Sequence, residues 1–404
     1  MSTLQNEGPG AEASGESLSM IDRLIEFPTV SRDSNLGLIE WVRDYLAGLG
    51  VRSHLTYDHS GRKANLFASL ADDEARVKNG GVILSGHTDT VPVDGQQWSS
   101  DPFVAHHAHE RIYGRGSADM KGFIAVALAK VPAFLAAQER TPVHLALSYD
   151  EEVGCLGVGG LLADLEERGV RPSACIVGEP TDMRAIVAHK GKRDFCCRVR
   201  GLEAHSSFAP RAVNAIESAA QLIVFIRALA ERLQRQEPRD DRFDIPFTTL
   251  QTGTVRGGIA TNVVPRDCEF TFEMRNLPAT ATQQLLDEIE RFARSELLPK
   301  MRRIAPQADI RFEELADLPA FGVAPEAPIV RFAQHLARTA HLGTGGVGFA
   351  TEASLFARAG IPTVLLGPGS IEQAHKPDEY ISYAQVAACE AFFARLIDAP
   401  LPEF

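Results

Sequence analysis

Leu84-Ser85-Gly86-His87-Thr88-Asp89-Thr90-Val91-Pro92 is the stretch from which the rest of the chain can be read, because a hydrophobic run stops there and a His-x-Asp pair begins. Residues 81–84 read as a buried strand, and residues just past the carboxyl end of a strand in an α/β sheet project into the crevice where ligands bind. His87 is thereby placed to face a metal ion. Asp89, two residues on, falls on the same side of an extended backbone, so it is expected to orient the His87 imidazole and fix which ring nitrogen is free. A His-x-Asp at a strand end is also a common structural pairing, so the reading turns on what else the chain delivers to the same place.

Four more stretches deliver it. Gly114-Arg-Gly-Ser-Ala-Asp119-Met-Lys-Gly122 leads into an apolar helix expected over residues 117–135. Its glycines are not a dinucleotide loop, since Asp119 stands where the third glycine belongs and a carboxylate there repels a pyrophosphate; metal ligation suits it better. The strand Val143-His-Leu-Ala-Leu-Ser-Tyr ends in Asp150-Glu151-Glu152-Val-Gly154, and like charges so close call for a cation. A further strand, Ala174-Cys-Ile-Val, ends in Gly178-Glu179-Pro-Thr, and a late loop carries Gln373-Ala-His375-Lys-Pro-Asp-Glu379. The run His106-His107-Ala-His109 tempts a metal assignment as well, but in a polar hairpin it reads as a solvated turn.

The 404 residues suffice for two domains and a large core, and 45% hydrophobic with 23% charged residues is the composition of a globular protein. A net charge of −12 argues against nucleic acid or an anionic membrane as partner and tolerates cationic substrates. Six cysteines in so long a chain form no disulfide framework and read as reduced thiols. Residues 1–17 are polar, lack the basic and apolar regions of a signal peptide, and read as a frayed tail. No apolar run reaches 18 residues, because Lys130, Pro132 and Arg227 interrupt the best candidates, and a cytoplasmic location is the default expectation.

The texture is α/β over residues 18–190 and again over 318–404, with strands interleaved with helices. Between them, residues 191–317 read as β-α-β-β-α-β, a smaller α+β domain inserted into the first. The fold class expected is therefore α/β, a mixed central sheet flanked by helices, with one insert.

The chemistry-bearing residues outside the insert are His87, Asp119, Glu151, Glu152, Glu179 and His375. Two imidazoles and several carboxylates suit a pair of zinc-type ions, with one histidine per ion, a shared carboxylate, and one carboxylate left over as a base. Here the sequence resembles the acetylornithine deacetylase and succinyl-diaminopimelate desuccinylase family of di-zinc amidohydrolases, whose aminoacylase and glutamate carboxypeptidase relatives share the metal chemistry. Five motifs carry the likeness, in the family's order: Ser85-Gly-His-Thr-Asp-Thr-Val-Pro, Gly114-Arg-Gly-Ser-Ala-Asp-Met-Lys-Gly, Asp150-Glu-Glu-Val-Gly, Gly178-Glu-Pro-Thr and Ala374-His-Lys-Pro-Asp-Glu.

The resemblance implies a di-zinc aminopeptidase-like catalytic domain and an inserted dimerisation and lid domain. It implies that Asp119 bridges two divalent ions, Zn2+ with Co2+ able to substitute, that His87 and Glu179 complete one, and that Glu152 and His375 complete the other. Glu151 is then the base, Asp89 the partner of His87, and the Asp119–Met120 peptide cis. In the insert, Gly201-Leu-Glu-Ala-His205-Ser-Ser resembles the segment whose histidine stabilises the oxyanion, commonly in the partner subunit of a homodimer. The stretch around Asn262 and, more weakly, Gly367-Pro-Gly369 resemble substrate-contacting loops, and Arg275 matches the arginine that grips the substrate carboxylate.

The activity these resemblances imply is metal-dependent hydrolysis of an N-acyl amino acid, with a water between the ions deprotonated by Glu151 and the leaving amine protonated by the same group. Thr351-Glu352-Ala-Ser-Leu-Phe, Val213-Asn-Ala-Ile-Glu and Glu273-Met-Arg-Asn-Leu-Pro lean towards acetylornithine deacetylases, hence towards N2-acetyl-L-ornithine, with Glu352 facing its cationic side chain. Another N-acyl amino acid hydrolase, a desuccinylase or a carboxypeptidase-like enzyme, is the alternative. A non-enzymatic binding protein on this scaffold should lack the base or a ligand, and here every such position is filled.

Overall fold

The computed structural model describes residues 12–71, 73–137, 141–400 and 402, and the chain divides into two compact units. The first comprises residues 1–187, 323–345 and 351–404, the second residues 188–322 and 346–350.

The first unit is built on a mixed sheet. Its strands run in the order Ser53–Tyr57, Ala64–Ser69, Val143–Ser148, Val82–His87, Ala174–Val177, Thr363–Leu365, and then Ile186 beside Leu365. The first pairings are antiparallel, and the four strands from Val143–Ser148 to Thr363–Leu365 are mutually parallel. Every residue of Val82–His87, Val143–Ser148 and Ala174–Val177 is buried, the continuous burial of strands covered on both faces. Register sets His87 opposite Ser148, whereas Val177 ends its strand opposite Ser85, so the residues that follow these three parallel strands are delivered to the same edge of the sheet.

Helix Lys121–Ala129 lies against Val82–His87 and between helices Gly15–Ile25 and Tyr383–Asp398. It is buried from Lys121 to Leu128, apolar all round because protein covers it on every side. Two glycines admit it this closely. A Cβ on Gly86 would meet Ile124 Cγ1 at 2.8 Å, and one on Gly178 would meet the Phe123 ring at 2.1 Å. Any side chain at either position would push the helix off the sheet and move the Asp119 loop with it.

Two expectations from the sequence are corrected here. The helix expected over 117–135 is two helices, Lys121–Ala129 and Val131–Ala136, because Pro132 has no N–H with which to continue the first ladder. The expectation of a frayed tail fails over residues 12–17. Helix Gly15–Ile25 is capped by the Ser14 hydroxyl, and the buried Ser17 Oγ donates to Glu390 Oε1 at 2.7 Å, so residues 12–17 belong to the fold; residues 1–11 lie outside those described. The His106 run forms a short strand, His106–Ala108, with His107 hydrogen-bonded to Asp22 and Tyr383.

The second unit holds an antiparallel sheet in the order Thr249–Gly257, Asp267–Asn276, Gly191–Arg200, Asp309–Leu318. Along Asp267–Asn276 burial alternates strictly, sending Cys268, Phe270, Phe272 and Met274 inward to meet Leu222, Ile226 and Leu229 of helix Ala215–Gln236 and Ile289 of Thr282–Phe292. Thr249–Gly257 is an edge strand, exposed over most of its length.

Candidate metal centre

The carboxyl ends of the parallel strands collect the acidic and imidazole groups. His87 closes its strand, Glu151 and Glu152 follow Val143–Ser148, Glu179 follows Ala174–Val177, and Asp119 stands two residues before helix Lys121–Ala129. His375 comes from the loop that precedes the strand Tyr380–Ser382. Among the described residues, two groups of metal-ligating atoms form, each with its atoms within 4.8 Å of one another: His87, Asp119 and Glu179, and Asp119, Glu152 and His375. Asp119 belongs to both. His87 Nε2 lies 3.1 Å from Asp119 Oδ1, and His375 Nε2 lies 3.3 Å from Asp119 Oδ2 and 3.0 Å from Glu152 Oε2. The Asp119–Met120 peptide is cis.

Burial and mutual charge set the protonation of the cluster. Burial, then the charges of neighbouring acids, pushes Glu179 and Glu151 well above the ordinary carboxylate range and raises Glu152 as well. Burial opposes charge on Asp119 too, yet its hydrogen bonds to His375 and His87 outweigh that and hold it low. Hydrogen bonds to Asp119 and Glu152 lift His375 to about 10. Glu179 Oε1 is buried without a hydrogen-bond partner. An orphaned buried carboxylate oxygen beside a histidine and a second carboxylate is the donor set of a divalent ion, and it fits the pair of ions that the motifs imply.

Glu151 stands apart from both groups. It is not a member of either, and its carboxyl contacts the buried Cys155 thiol, which donates to Glu151 Oε1 across 3.5 Å. Its place is set by Asp89, in a manner the sequence did not show. The His87 Nδ1 bonds the backbone carbonyl of Asp89 at 2.9 Å, with the Asp89 carboxylate 3.5 Å away. That carboxylate also accepts the backbone N–H groups of Glu151 at 3.1 Å and Glu152 at 3.3 Å and the hydroxyl of Ser31 at 2.8 Å. Asp89 thus meets the imidazole with both its backbone carbonyl and its carboxylate, as expected of an orienting partner, and the same carboxylate also orders the acidic turn. Asp150, at a left-handed φ of 56°, turns away from the cluster and pairs with Lys63 Nζ at 2.5 Å.

Glu352 is also in this unit, but it is only 1% exposed, beside the hydroxyls of Ser148 and Ser85, and burial lifts it to about 7. A group so enclosed is ill placed to face the side chain of an arriving substrate. Gly369 is buried with its N–H given to Gln385 Oε1 at 3.1 Å, and it packs near Ala118 rather than lining an open wall. His205, Asn262 and Arg275 all belong to the second unit. His205 and Asn262 are exposed, and the Arg275 guanidinium is held by Glu273 at 3.0 and 3.1 Å.

The family model for peptidase family M20/M25/M40 matches residues 83–399, most of the chain and all of the cluster just described. This chain belongs to that family. It is 33% identical over 390 residues to the acetylornithine deacetylase of Pasteurella multocida, covering 94% of this chain and 97% of that one, and 32% identical over 391 residues to that of Proteus mirabilis, covering 94% and 96%. Among solved structures it is similar in fold to the aminopeptidase PepT of Bacillus cereus, with a TM-score of 0.73 at 21% identity over 96% of this chain and 99% of that one. It is similar also to the dinuclear metal-binding peptidase YxeP of Bacillus subtilis, with a TM-score of 0.67 at 17% identity over 96% and 98%. Members of the family hydrolyse amide bonds, and this chain is a hydrolytic enzyme of that kind. Among the described residues no helix is long and apolar enough to cross a membrane.

Proposed function

We propose that the enzyme is a di-metal amidohydrolase that cleaves the amide bond of N2-acetyl-L-ornithine, releasing L-ornithine and acetate in arginine biosynthesis. One observation carries the reading: two ligand groups share Asp119, and next to Glu152 in the chain stands a part-buried glutamate, Glu151, that neither group uses. The acetylornithine deacetylases matched over nearly their whole length support the choice of substrate. Zn2+ is the ion best suited to these imidazole and carboxylate donors, with Co2+ able to replace it. His87, Asp119 and Glu179 would hold one ion and Asp119, Glu152 and His375 the other, and the pair would acidify a water and polarise the acyl carbonyl.

The residues of the chain do the rest. Glu151 takes a proton from the attacking water as the new C–O bond forms, and returns it to the amine nitrogen as the C–N bond breaks. Burial raises the Glu151 carboxyl above the ordinary range, which suits a group that must both take a proton and return it. The Cys155 thiol and the Asp89 bond to the Glu151 N–H keep the base facing one way. His205 is assigned to the charge that develops on the tetrahedral oxygen, and Asn262 and Arg275 to the substrate; motif resemblance supports these roles and that of the homodimer. Glu352 fits better as a buried neighbour of the base than as a substrate contact.

Turnover by zinc- or cobalt-loaded protein across a panel of acyl amino acids tests the substrate. N2-acetyl-L-ornithine should lead in kcat/KM, and a lead for N-succinyl-diaminopimelate or for an acyl glutamate would move the enzyme to the desuccinylase or carboxypeptidase branch. Arg275→Lys should raise KM for the acyl amino acid about tenfold, the low end for losing a charge-assisted hydrogen bond, and barely affect an analogue lacking the α-carboxylate. Equal losses on both compounds would remove Arg275 from carboxylate binding. Dimers mixed from His205→Ala and Glu151→Gln chains should regain activity that neither parent has, if His205 serves the partner's site. Mixed dimers as inactive as the parents would leave it serving its own chain or none.

A further inference from the structure

Glu379 ends the stretch that carries His375, and the two-ion reading gives it no part. Its side chain is 1% exposed, and both its oxygens are answered from one loop. Oε1 accepts the backbone N–H groups of Ala118 at 2.9 Å and Asp119 at 3.1 Å. Oε2 accepts the N–H of Gly116 at 3.0 Å and Arg115 Nη1 at 2.7 Å. The loop that presents Asp119 is therefore wrapped round a single carboxylate. A buried carboxylate persists only when its oxygens are satisfied in this way.

The same network reaches His375 from the other side. Arg115 Nη2 donates to Gln96 Oε1 at 2.6 Å, and Gln96 Nε2 donates to the backbone carbonyl of His375 at 3.0 Å. Trp98 steadies the link, its Nε1 donating to Gln96 Oε1 at 3.0 Å and its ring lying 5.0 Å from the Arg115 guanidinium carbon. His375 depends on such support. Its φ is +61°, a left-handed conformation uncommon for a non-glycine residue, and its side chain is half exposed. A ring thus closes from the Asp119 N–H through Glu379, Arg115 and Gln96 to the His375 carbonyl, then back along the short segment of chain between His375 and Glu379.

We propose that Glu379, acting through Arg115 and Gln96, is the positioning residue that fixes the distance between Asp119 and His375, and so sets the affinity of the group Asp119, Glu152 and His375 for its ion. This rests on the two-ion reading above. The ring bonds backbone atoms of Asp119 and His375 and touches no ligand atom of either group, so it acts through geometry. Its effect falls mainly on that group, because two of the group's three members lean on the ring, whereas His87 and Glu179 are placed by strand ends.

The test titrates full-length, metal-free protein with Co2+, followed by calorimetry and by the visible absorption of the bound ion, with His375→Ala as the reference for losing the second ion. Wild type should take up two ions per chain. Glu379→Gln keeps the size but turns an NH2 group towards N–H donors. It should hold one ion as wild type does and bind the second about 10–100-fold more weakly, the usual cost of removing a group that supports metal ligands. Gln96→Ala removes one link at a half-buried side chain; it should weaken the same ion about tenfold with an unchanged melting temperature. Gln96→Ala decides the matter if Glu379→Gln does not fold. Two ions bound with wild-type affinities by the folded variant, or equal losses on both ions, would overturn the proposal. Uptake of fewer than two ions by wild type would instead end the two-ion reading itself.

Discussion

Glu151→Gln is expected to lower kcat for N2-acetyl-L-ornithine by about 10²–10⁴-fold, the range that a positioned general base contributes, while the protein keeps its fold and its metal content. The amide is the same size and can still accept the Cys155 thiol and donate within the site, but it cannot take a proton from water or return one to the amine. Glu151 is in neither ligand group, so metal uptake measured alongside turnover separates base from ligand. Loss of an ion together with activity would make Glu151 a ligand and force a new choice of base. The neighbouring Glu152→Gln should give that opposite pattern, because Glu152 Oε2 lies 3.0 Å from His375 Nε2 inside the second group.

The centre is legible in the sequence because its parts sit where chain pattern changes. His87, Glu151, Glu152 and Glu179 each stand at or just past the end of an apolar run that reads as a buried strand, and neighbouring parallel strands bring such residues to the same edge of the sheet. Pattern does not show which donor goes to which acceptor. Asp89 lies two residues from His87, and spacing pairs the two side chains, but spacing does not show that the Asp89 carboxylate also holds the backbone of an acidic turn 62 residues away. The motif around Glu352 reads as a substrate contact; burial is a property of the packed structure, and only the packing puts it at 1% exposure. Glu379 is silent in the sequence for the same reason. Its donors lie about 260 residues earlier in the chain, and nothing near Pro377 announces that the carboxylate will be buried. The helix break at Val131 is, by contrast, legible in Pro132, whose missing N–H ends the first helix well short of residue 135.

Stripping the metal is expected to abolish hydrolysis completely and to lower the melting temperature of the first unit, and Zn2+ or Co2+ should restore both. The chemical reason is the pKa of water: an unassisted water titrates near 15.7 and one bound to zinc near 7, about nine pKa units that a glutamate alone cannot bridge. The physical reason is charge. Glu151, Glu152 and Glu179 are all raised by burial and by neighbouring acids, so without cations each must either stay protonated or repel its neighbours. An ion present at about a thousand times its Kd adds about 4 kcal/mol to the folded state, and at roughly 2–4 °C per kcal/mol the melting point should move by on the order of 10 °C. Calorimetry of metal-free and zinc-loaded protein reads the shift without any substrate, so its outcome is independent of which acyl group the enzyme accepts. Full turnover by protein shown to be metal-free would sink the di-metal mechanism. An unchanged melting point on loading would mean that the acidic cluster is balanced from within, by His87 and His375 held protonated against Asp119 and Glu152.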